Sequence, residues 1–355
     1  MSIEDDFWRG RRVLLTGHTG FKGAWLALWL CSLGAEVHGL ASGEPTSPCL
    51  YELARVGEGV SEQRLDIRDA DAVRAAIARV EPEIVLHLAA QPLVRRSLRD
   101  PAMTYAVNVM GTVNVLEAVR CAGEQVRAFV VVTSDKCYEN DGRAQRRFVE
   151  GDPLGGHDPY SSSKACAELV TAAYRDSFFD REGAPGVASA RAGNVIGGGD
   201  WGEDRLVADS VRAVQTHGAL RIRNPNAVRP WQHVLNPLSG YLRLAQALHG
   251  GEDVARAWNF GPPAADARTV GWIASRLAEL WEGALDVELD KDANPPEAPH
   301  LELDSSAAEQ QLGWRCRWDL DRALGLVVEW HRAHLDGEDM RAVSLAQIER
   351  FEQSA

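Results

Sequence analysis

Tyr160-Ser161-Ser162-Ser163-Lys164 sets a phenol and an ammonium four residues apart, one turn apart on the same face of a helix. A phenol with its ordinary pKa of about 10 is a poor base at neutral pH, and lowering it by roughly 3 units takes about 4 kcal/mol of preferential phenolate stabilisation. Upstream, Thr133-Ser134-Asp135-Lys136 adds a hydroxyl suited to orienting a substrate oxygen, followed by an acidic/basic pair. Near the start of the chain, the apolar run Val13-Leu14-Leu15 leads into Thr16-Gly17-His18-Thr19-Gly20-Phe21-Lys22-Gly23. A strand, a glycine turn and then a helix aim the helix's N-terminal amides at a dinucleotide pyrophosphate. Glycine turns and exposed Tyr/Lys pairs are each common. Together they point to hydride chemistry with a nicotinamide cofactor, whose positive ring and the Lys164 ammonium would stabilise the Tyr160 phenolate.

These groups need a scaffold, and the chain's periodicity supplies one. Val13–Leu15, Glu36–Leu40, Ile84–Leu88, Ala128–Val132 and Val187–Arg191 read as buried strands. Between them, Gly23–Leu33, Ala70–Val80, Pro101–Cys121 and Tyr160–Ser177 read as helices. This alternation predicts an α/β fold, a Rossmann-like doubly wound parallel sheet, with ligands beyond the strands' C-terminal ends, where each motif falls. After Asn194 the texture changes. Gly197–Trp201 is a loop, Asp204–Thr216 and Pro237–His249 read as helices, and Arg221–His233 is dense in Arg, Asn and Pro. Ala257–Phe260 is a short strand able to rejoin the sheet, residues 292–300 form a proline-rich loop, and Leu320–His334 is an amphipathic helix. The expected division is a cofactor-binding domain of residues 1–191 plus 232–265 and a smaller, discontinuous substrate domain of residues 192–231 plus 266–355.

At 355 residues with 45% hydrophobic content, the chain can bury a large core. A formal charge of −13 argues against nucleic acid or a membrane surface as partner, so an anionic substrate must be met by local basic residues. The six cysteines show no metal or CxxC spacing and are read as reduced thiols; no metal site is expected. Residues 1–12 carry no leader pattern, and Ala24–Leu33 is too short to span a bilayer, so a cytoplasmic protein is expected.

Around the cofactor, Thr19, Phe21 and Lys22 accompany the glycines. Ala89, Ala90 and Gln91 end a strand where its phosphate-ribose part would pass, and Asn108 is a candidate to hold that strand end. Asp66 and Ile67 read equally as an adenine contact or as a helix cap. His38–Ser42 offers neither an acidic residue for the adenosine ribose nor an Arg for a 2′-phosphate; NAD is the expected cofactor, with Ser42 as a substitute contact. Asn194, Arg205, Arg223, Arg229 and His300 are candidates for a substrate pyrophosphate, with Arg221, Arg223 and Arg229 as the densest basic cluster. Arg191 reads equally as a site residue or a surface ion-pair partner, Trp231 as a packing residue, and His18 as a spacing residue of the turn.

These stretches resemble the extended short-chain dehydrogenase/reductase family, and within it the nucleotide-sugar 4,6-dehydratases, over nearly the whole chain. The resemblance rests on Thr16–Leu30, His87–Arg95, Thr133–Tyr138, Asp158–Lys164, Arg191–Asp204, Asn224–Val234 and Trp258–Pro262. Epimerases of this fold lack the acidic/basic pair after the hydroxyl, and dTDP-glucose and GDP-mannose relatives carry Asp-Glu or an equivalent. The Lys in third place of Ser134-Asp135-Lys136 is similar to the CDP-sugar enzymes. The resemblance implies NAD-mediated conversion of CDP-glucose to its 4-dehydro-6-deoxy sugar for deoxysugar synthesis. Tyr160 would be the base, Lys164 its partner, Ser134 the orienting hydroxyl, Asp135 the acid and Lys136 the C5 base. It also implies a homodimer or homotetramer built on helices flanking the sheet. The alternatives are a nucleotide-sugar 4-epimerase, a 4,6-dehydratase acting on another NDP-hexose, or a silent NAD-binding protein. One geometric condition follows: neighbours 135 and 136 reach one substrate only if the strand ends near Ser134, because alternate strand residues face opposite ways.

Overall fold

A computed structural model describes residues 5–140, 146–290 and 299–354. Seven strands form the main sheet: β1 (Arg12–Thr16), β2 (Glu36–Ala41), β3 (Val60–Arg64), β4 (Ile84–His87), β5 (Ala128–Val132), β7 (Gly186–Arg191) and β11 (Ala257–Asn259). They lie in the order β11-β7-β5-β4-β1-β2-β3, and every neighbouring pair is parallel. The order reverses between β1 and β4, which opens the crevice where doubly wound sheets take ligands. This is the expected fold, with Ala257–Asn259 returning to the sheet's edge. β3 falls outside the sequence-predicted strands: Val-Ser-Glu-Gln-Arg has one apolar residue, because an edge strand buries little.

Short strands flank the C-terminal edge. β8 (Asn194–Ile196), β10 (Val228–His233) and β12 (Ala267–Thr269) form one small sheet; β9 (Ala219–Ile222) pairs with β13 (Asp286–Leu289), and β6 (Arg147–Phe148) with β14 (Glu302–Leu303). The Arg/Asn/Pro-rich stretch therefore contains two strands. Most of the proline-rich loop, residues 292–298, lies outside the described residues; His300 lies within them.

The helix Phe21–Ser32 carries the glycine turn, and its residues Gly23–Leu30 are all buried. A helix apolar all round must be covered all round. One side packs on the sheet, while the helix Met340–Glu352 covers another, with the Trp29 indole donating to Glu352 at 2.6 Å. The Trp25 indole donates to the Gly198 carbonyl at 2.9 Å, seating the Gly197–Trp201 loop on the same helix. Burying one such indole removes roughly 200 Å² from water, about 5 kcal/mol at most. Among the described residues no helix is long and apolar enough to cross a membrane.

The predicted helix 101–121 is continuous but wider in its middle. Ala106–Gly111 takes π-helical turns between Pro101–Tyr105 and Thr112–Cys121. That widening carries Asn108, in keeping with the use of π-turns at functional sites.

Candidate active site

The helix Pro159–Tyr174 begins abruptly for local reasons. Pro159 occupies its first position, and Asp158 accepts from the amides of Tyr160 (2.9 Å) and Ser161 (3.0 Å) in a capping box. This start fixes Tyr160 and Lys164 at the C-terminal edge of the sheet, both buried. β5 ends at Val132, and Asp135–Cys137 form a tight 3-10 turn capped by Ser134, whose hydroxyl accepts from the Lys136 amide at 3.2 Å. The geometric condition is therefore met: Asp135 and Lys136 sit on a turn, not a strand.

Ser134 Oγ donates to Asp135 Oδ1 at 3.0 Å and also lies within hydrogen-bonding reach of the Tyr160 phenol. Burial pushes Tyr160 up to about 12, against the pull of that hydroxyl and of the Arg205 guanidinium. Burial lowers Lys164 to about 8, opposed by the charge of Glu168; its ammonium donates to the Val132 carbonyl at 3.3 Å. Burial raises the Asp135 carboxyl above the usual range despite Lys136, Ser134 and Arg229, and its Oδ2 has no hydrogen-bond partner among the described residues. Lys22 turns from the glycine turn toward the same region, with its ammonium 5.8 Å from the centre of the Tyr241 ring. Burial and the charges of Lys164 and Arg205 lower it to about 7.

The cofactor side is built by close backbone approach. A Cβ on Gly17 would sit 2.7 Å from the Ala89 amide nitrogen, and one on Gly23 would sit 2.0 Å from the Gly17 carbonyl oxygen. Gly20 leaves the first amides of the following helix without a side-chain cap. Asn108 grips the residue beyond β4, accepting from the Gln91 amide (2.8 Å) and donating to its carbonyl (3.0 Å) and to Ser163 Oγ (2.9 Å). Thr19 Oγ1 donates to the Gly43 carbonyl at 2.7 Å. The carboxylate of Asp66 holds Arg68 and its amide, while Asp69 caps the next helix, so the cap reading of Asp66 gives way to a local turn. Ile67 packs where a side chain on Gly111 would stand.

The basic residues separate. Arg205 pairs with Asp200 at 2.7 Å, close enough to act on Tyr160 and Lys22. Arg229 is buried, donates to the Val228 carbonyl at 2.8 Å and acts on Asp135. Arg223 pairs with Asp204 at 3.1 Å, whereas Arg221 is largely exposed beside Glu288. Asn194 lies in β8, alongside Trp231 of β10, and Trp231 packs in an apolar cluster with Ile196, Ile222 and Leu324. His300 bridges to Val228 and holds Glu302 at 3.0 Å. Arg191 is buried, not at the surface.

The sequence matches the family described as GDP-mannose 4,6 dehydratase over residues 14–325. The chain belongs to this family. A CDP-glucose 4,6-dehydratase of Salmonella typhimurium is 49% identical, over 98% of each chain. A UDP-glucose 4-epimerase of Mycolicibacterium smegmatis is 29% identical, over 90% of this chain and 98% of that one. The solved structure of a Thermus thermophilus UDP-glucose 4-epimerase in complex with NAD is 26% identical and superposes with a TM-score of 0.77 over 90% of this chain and 99% of that one. The resemblance drawn from the motifs is thus a family relationship.

Within this family site, two groups escaped the motif reading. Tyr241, on the helix Leu235–His249, is fully buried with an unpartnered hydroxyl and feels the charges of Asp135 and Tyr160. In the sequence it occupies one apolar position of an amphipathic helix, with no local signal. Glu62 of β3 lies against the glycine turn, 3.1 Å from His18 Nε2, and accepts from the Tyr51 hydroxyl. His18 in turn fills the space a Cβ on Gly39 would need, so it is a packing residue as well as a turn residue.

Proposed function

We propose that this chain is a CDP-glucose 4,6-dehydratase that uses NAD, a hydro-lyase of deoxysugar synthesis acting in the cytoplasm. The observation that carries the reading is the buried Ser134–Lys136 turn set against Tyr160, in a chain 49% identical to a CDP-glucose 4,6-dehydratase. The glycine cradle fits a dinucleotide: Gly17 and Gly23 leave room that any side chain would close, at an uncapped helix start. Gly17, Thr19, Gly20, Phe21, Lys22 and Gly23 would hold the pyrophosphate, Asp66 and Ile67 the adenine, and Ala89, Ala90, Gln91, Asn108 and Thr133 the middle of the cofactor. Tyr160 and Lys164 would hold its nicotinamide end. When bound, NAD would supply the hydride acceptor at C4 of the glucosyl ring and the hydride donor at C6.

Tyr160 takes the proton of the 4-hydroxyl, oriented by Ser134. Working near pH 7 from about 12 asks for about 7 kcal/mol of phenolate stabilisation, which Arg205, Lys164 and the cofactor's positive ring can share at low dielectric. The new 4-ketone acidifies C5, and Lys136 removes that proton. Asp135, whose protonated form burial favours, gives its proton to the C6 oxygen as the C6–O bond breaks, and water departs. Lys136 then protonates C5 as hydride reaches C6. Resetting the site transfers one proton from Tyr160 to Asp135. Asp135 and Lys136 titrate as one unit. Asn194, Arg205, Arg223, Arg229 and His300 would contact the nucleotide diphosphate, with residues 192–231 plus 266–355 as the smaller, substrate-binding part and residues 1–191 plus 232–265 as the cofactor-binding part. Exposed Met110, Leu169 and Phe178 on the flanking helices support a homodimer or homotetramer.

Purified protein given CDP-glucose, other NDP-glucoses in parallel, and NAD should form a 4-keto sugar from CDP-glucose without lasting absorbance at 340 nm. Deuterium at C4 should move to C6. Label retained at C4 would establish an epimerase instead, and turnover of another NDP-glucose in preference would refute the cytidine assignment.

A further inference from the structure

The Ser134–Cys137 turn is tethered at both ends to one buried ion pair that carries none of the acid or base roles given above. Glu168, one helical turn beyond Lys164, and Arg191, at the end of β7, pair at 2.8 Å with side-chain exposures of 2% and 3%. Glu168 also accepts from the hydroxyls of Thr133 and, at 2.6 Å, of Ser189. Arg191 donates to the Tyr138 hydroxyl at 2.7 Å and to the Glu150 carbonyl at 3.1 Å. Tyr138 in turn donates to Asn259 of β11 at 2.7 Å, and its ring stacks on Phe148 at 4.9 Å. Thr133 immediately precedes Ser134, and Tyr138 immediately follows Cys137, so the two flank the four residues 134–137.

Burying two charges is expensive, and an apolar pair of similar volume often serves stability as well. A buried pair whose two halves hold opposite ends of a four-residue stretch has a positional use. A 3-10 turn with two long internal backbone bonds, Cys137 amide to Ser134 carbonyl at 3.2 Å and Tyr138 amide to Asp135 carbonyl at 3.5 Å, and with the Asp135 amide held by the Ala192 carbonyl at 3.2 Å, has its main chain placed but not the directions of the Asp135 and Lys136 side chains. We propose that Glu168 and Arg191, through Thr133 and Tyr138, are positioning residues that clamp this turn so that Asp135 and Lys136 face one substrate. The proposal rests on the acid and base roles given above to Asp135 and Lys136. It assigns the clamp to the elimination half-reaction, because Tyr160 and Lys164 are fixed separately by the Asp158 capping box and the Val132 carbonyl.

The test is Tyr138→Phe, which releases the downstream tether and leaves every charge in place. In a single turnover with CDP-glucose in deuterated water, two rates are read: reduced-cofactor absorbance at 340 nm, and loss of C5 hydrogen to solvent. The clamp predicts oxidation within twofold of wild type and C5 loss at least tenfold slower. A ratio of the two rates that changes by less than fivefold overturns it, whether both rates hold or both fall together, since a merely structural tether would scale them alike. Arg191→Lys, which keeps the charge but cannot fork to Glu168 and Tyr138 together, should give the same split and serves if Tyr138→Phe fails to fold. Amide hydrogen exchange over residues 134–138 gives a reading independent of activity: faster in either variant supports the clamp, and unchanged exchange in both rejects it. If wild type forms no 4-keto sugar from any NDP-glucose, the functional reading fails, and the exchange result still judges the clamp.

Discussion

Replacing Gly23 with Ala should disable cofactor binding through a clash that no rotamer can relieve. The added Cβ would lie 2.0 Å from the Gly17 oxygen, 2.8 Å from the Gly17 carbonyl carbon and 2.9 Å from His18 Cα, all backbone atoms. Ordinary contact begins near 3.4 Å, so turn and helix must separate by about 1.4 Å. Overpacking of this kind costs about 3 kcal/mol, which lowers Tm by about 5 °C. The same shift moves the helix amides away from the pyrophosphate, and misplacements of about 1 Å cost roughly 100-fold. Titration calorimetry of NAD against wild type and Gly23→Ala, alongside thermal melts, measures both. Gly251→Ala is the control: its φ of +77° strains an alanine by roughly 1 kcal/mol, but nothing stands within 4 Å, so NAD affinity should not change. A Gly23→Ala protein with wild-type Tm and an NAD Kd within threefold of wild type would refute the close-approach reasoning.

Tyr160→Phe should slow the first hydride transfer by about 100-fold or more, read as absorbance at 340 nm in a single turnover; a wild-type rate would remove Tyr160 from the base role. Lys136→Ala should leave that absorbance change intact but suppress C5 exchange with solvent by about 100-fold, and undiminished exchange would count against it. Asp200→Asn loosens the charged partner of Arg205 and should raise KM for CDP-glucose by about tenfold, with an unchanged KM as the contrary result. Burial lowers His87, His233 and His331 each to about 3. The unfolded chain takes up these protons first, near 6.5, so the stability they allow is complete above that pH and is lost as pH falls toward 3. At pH 5 the loss is about 2 kcal/mol apiece. Urea unfolding at pH 7.5 and pH 5 checks this: His331→Leu should shrink the difference by about 2 kcal/mol, and equal stability at both values for wild type would contradict it.

How legible each part was follows from where its physics resides. Buried parallel strands such as Ala128–Val132 declare themselves as apolar runs, and Asp158-Pro159 announces a helix start that fixes Tyr160. β3 and the helix Met340–Glu352 do not, because one is an edge strand and the other buries scattered positions against a distant helix. The close approach of the turn residues could be anticipated from glycine spacing. The surroundings of Arg229 and Arg223 could not, since Asp135 and Asp204 come near them only through tertiary packing, and the Asp200–Arg205 pair forms within a loop whose path no periodicity sets. Tyr241 was hidden for the same reason: on its own helix it is one more buried ring.

The indole of Trp29 meets the carboxylate of Glu352 across 323 residues. One apolar flank of the helix Phe21–Ser32 therefore stays wet until a segment more than three hundred residues away folds against it. Local opening of the helix Met340–Glu352 would loosen the glycine turn along with it, so the two must be gained and lost together.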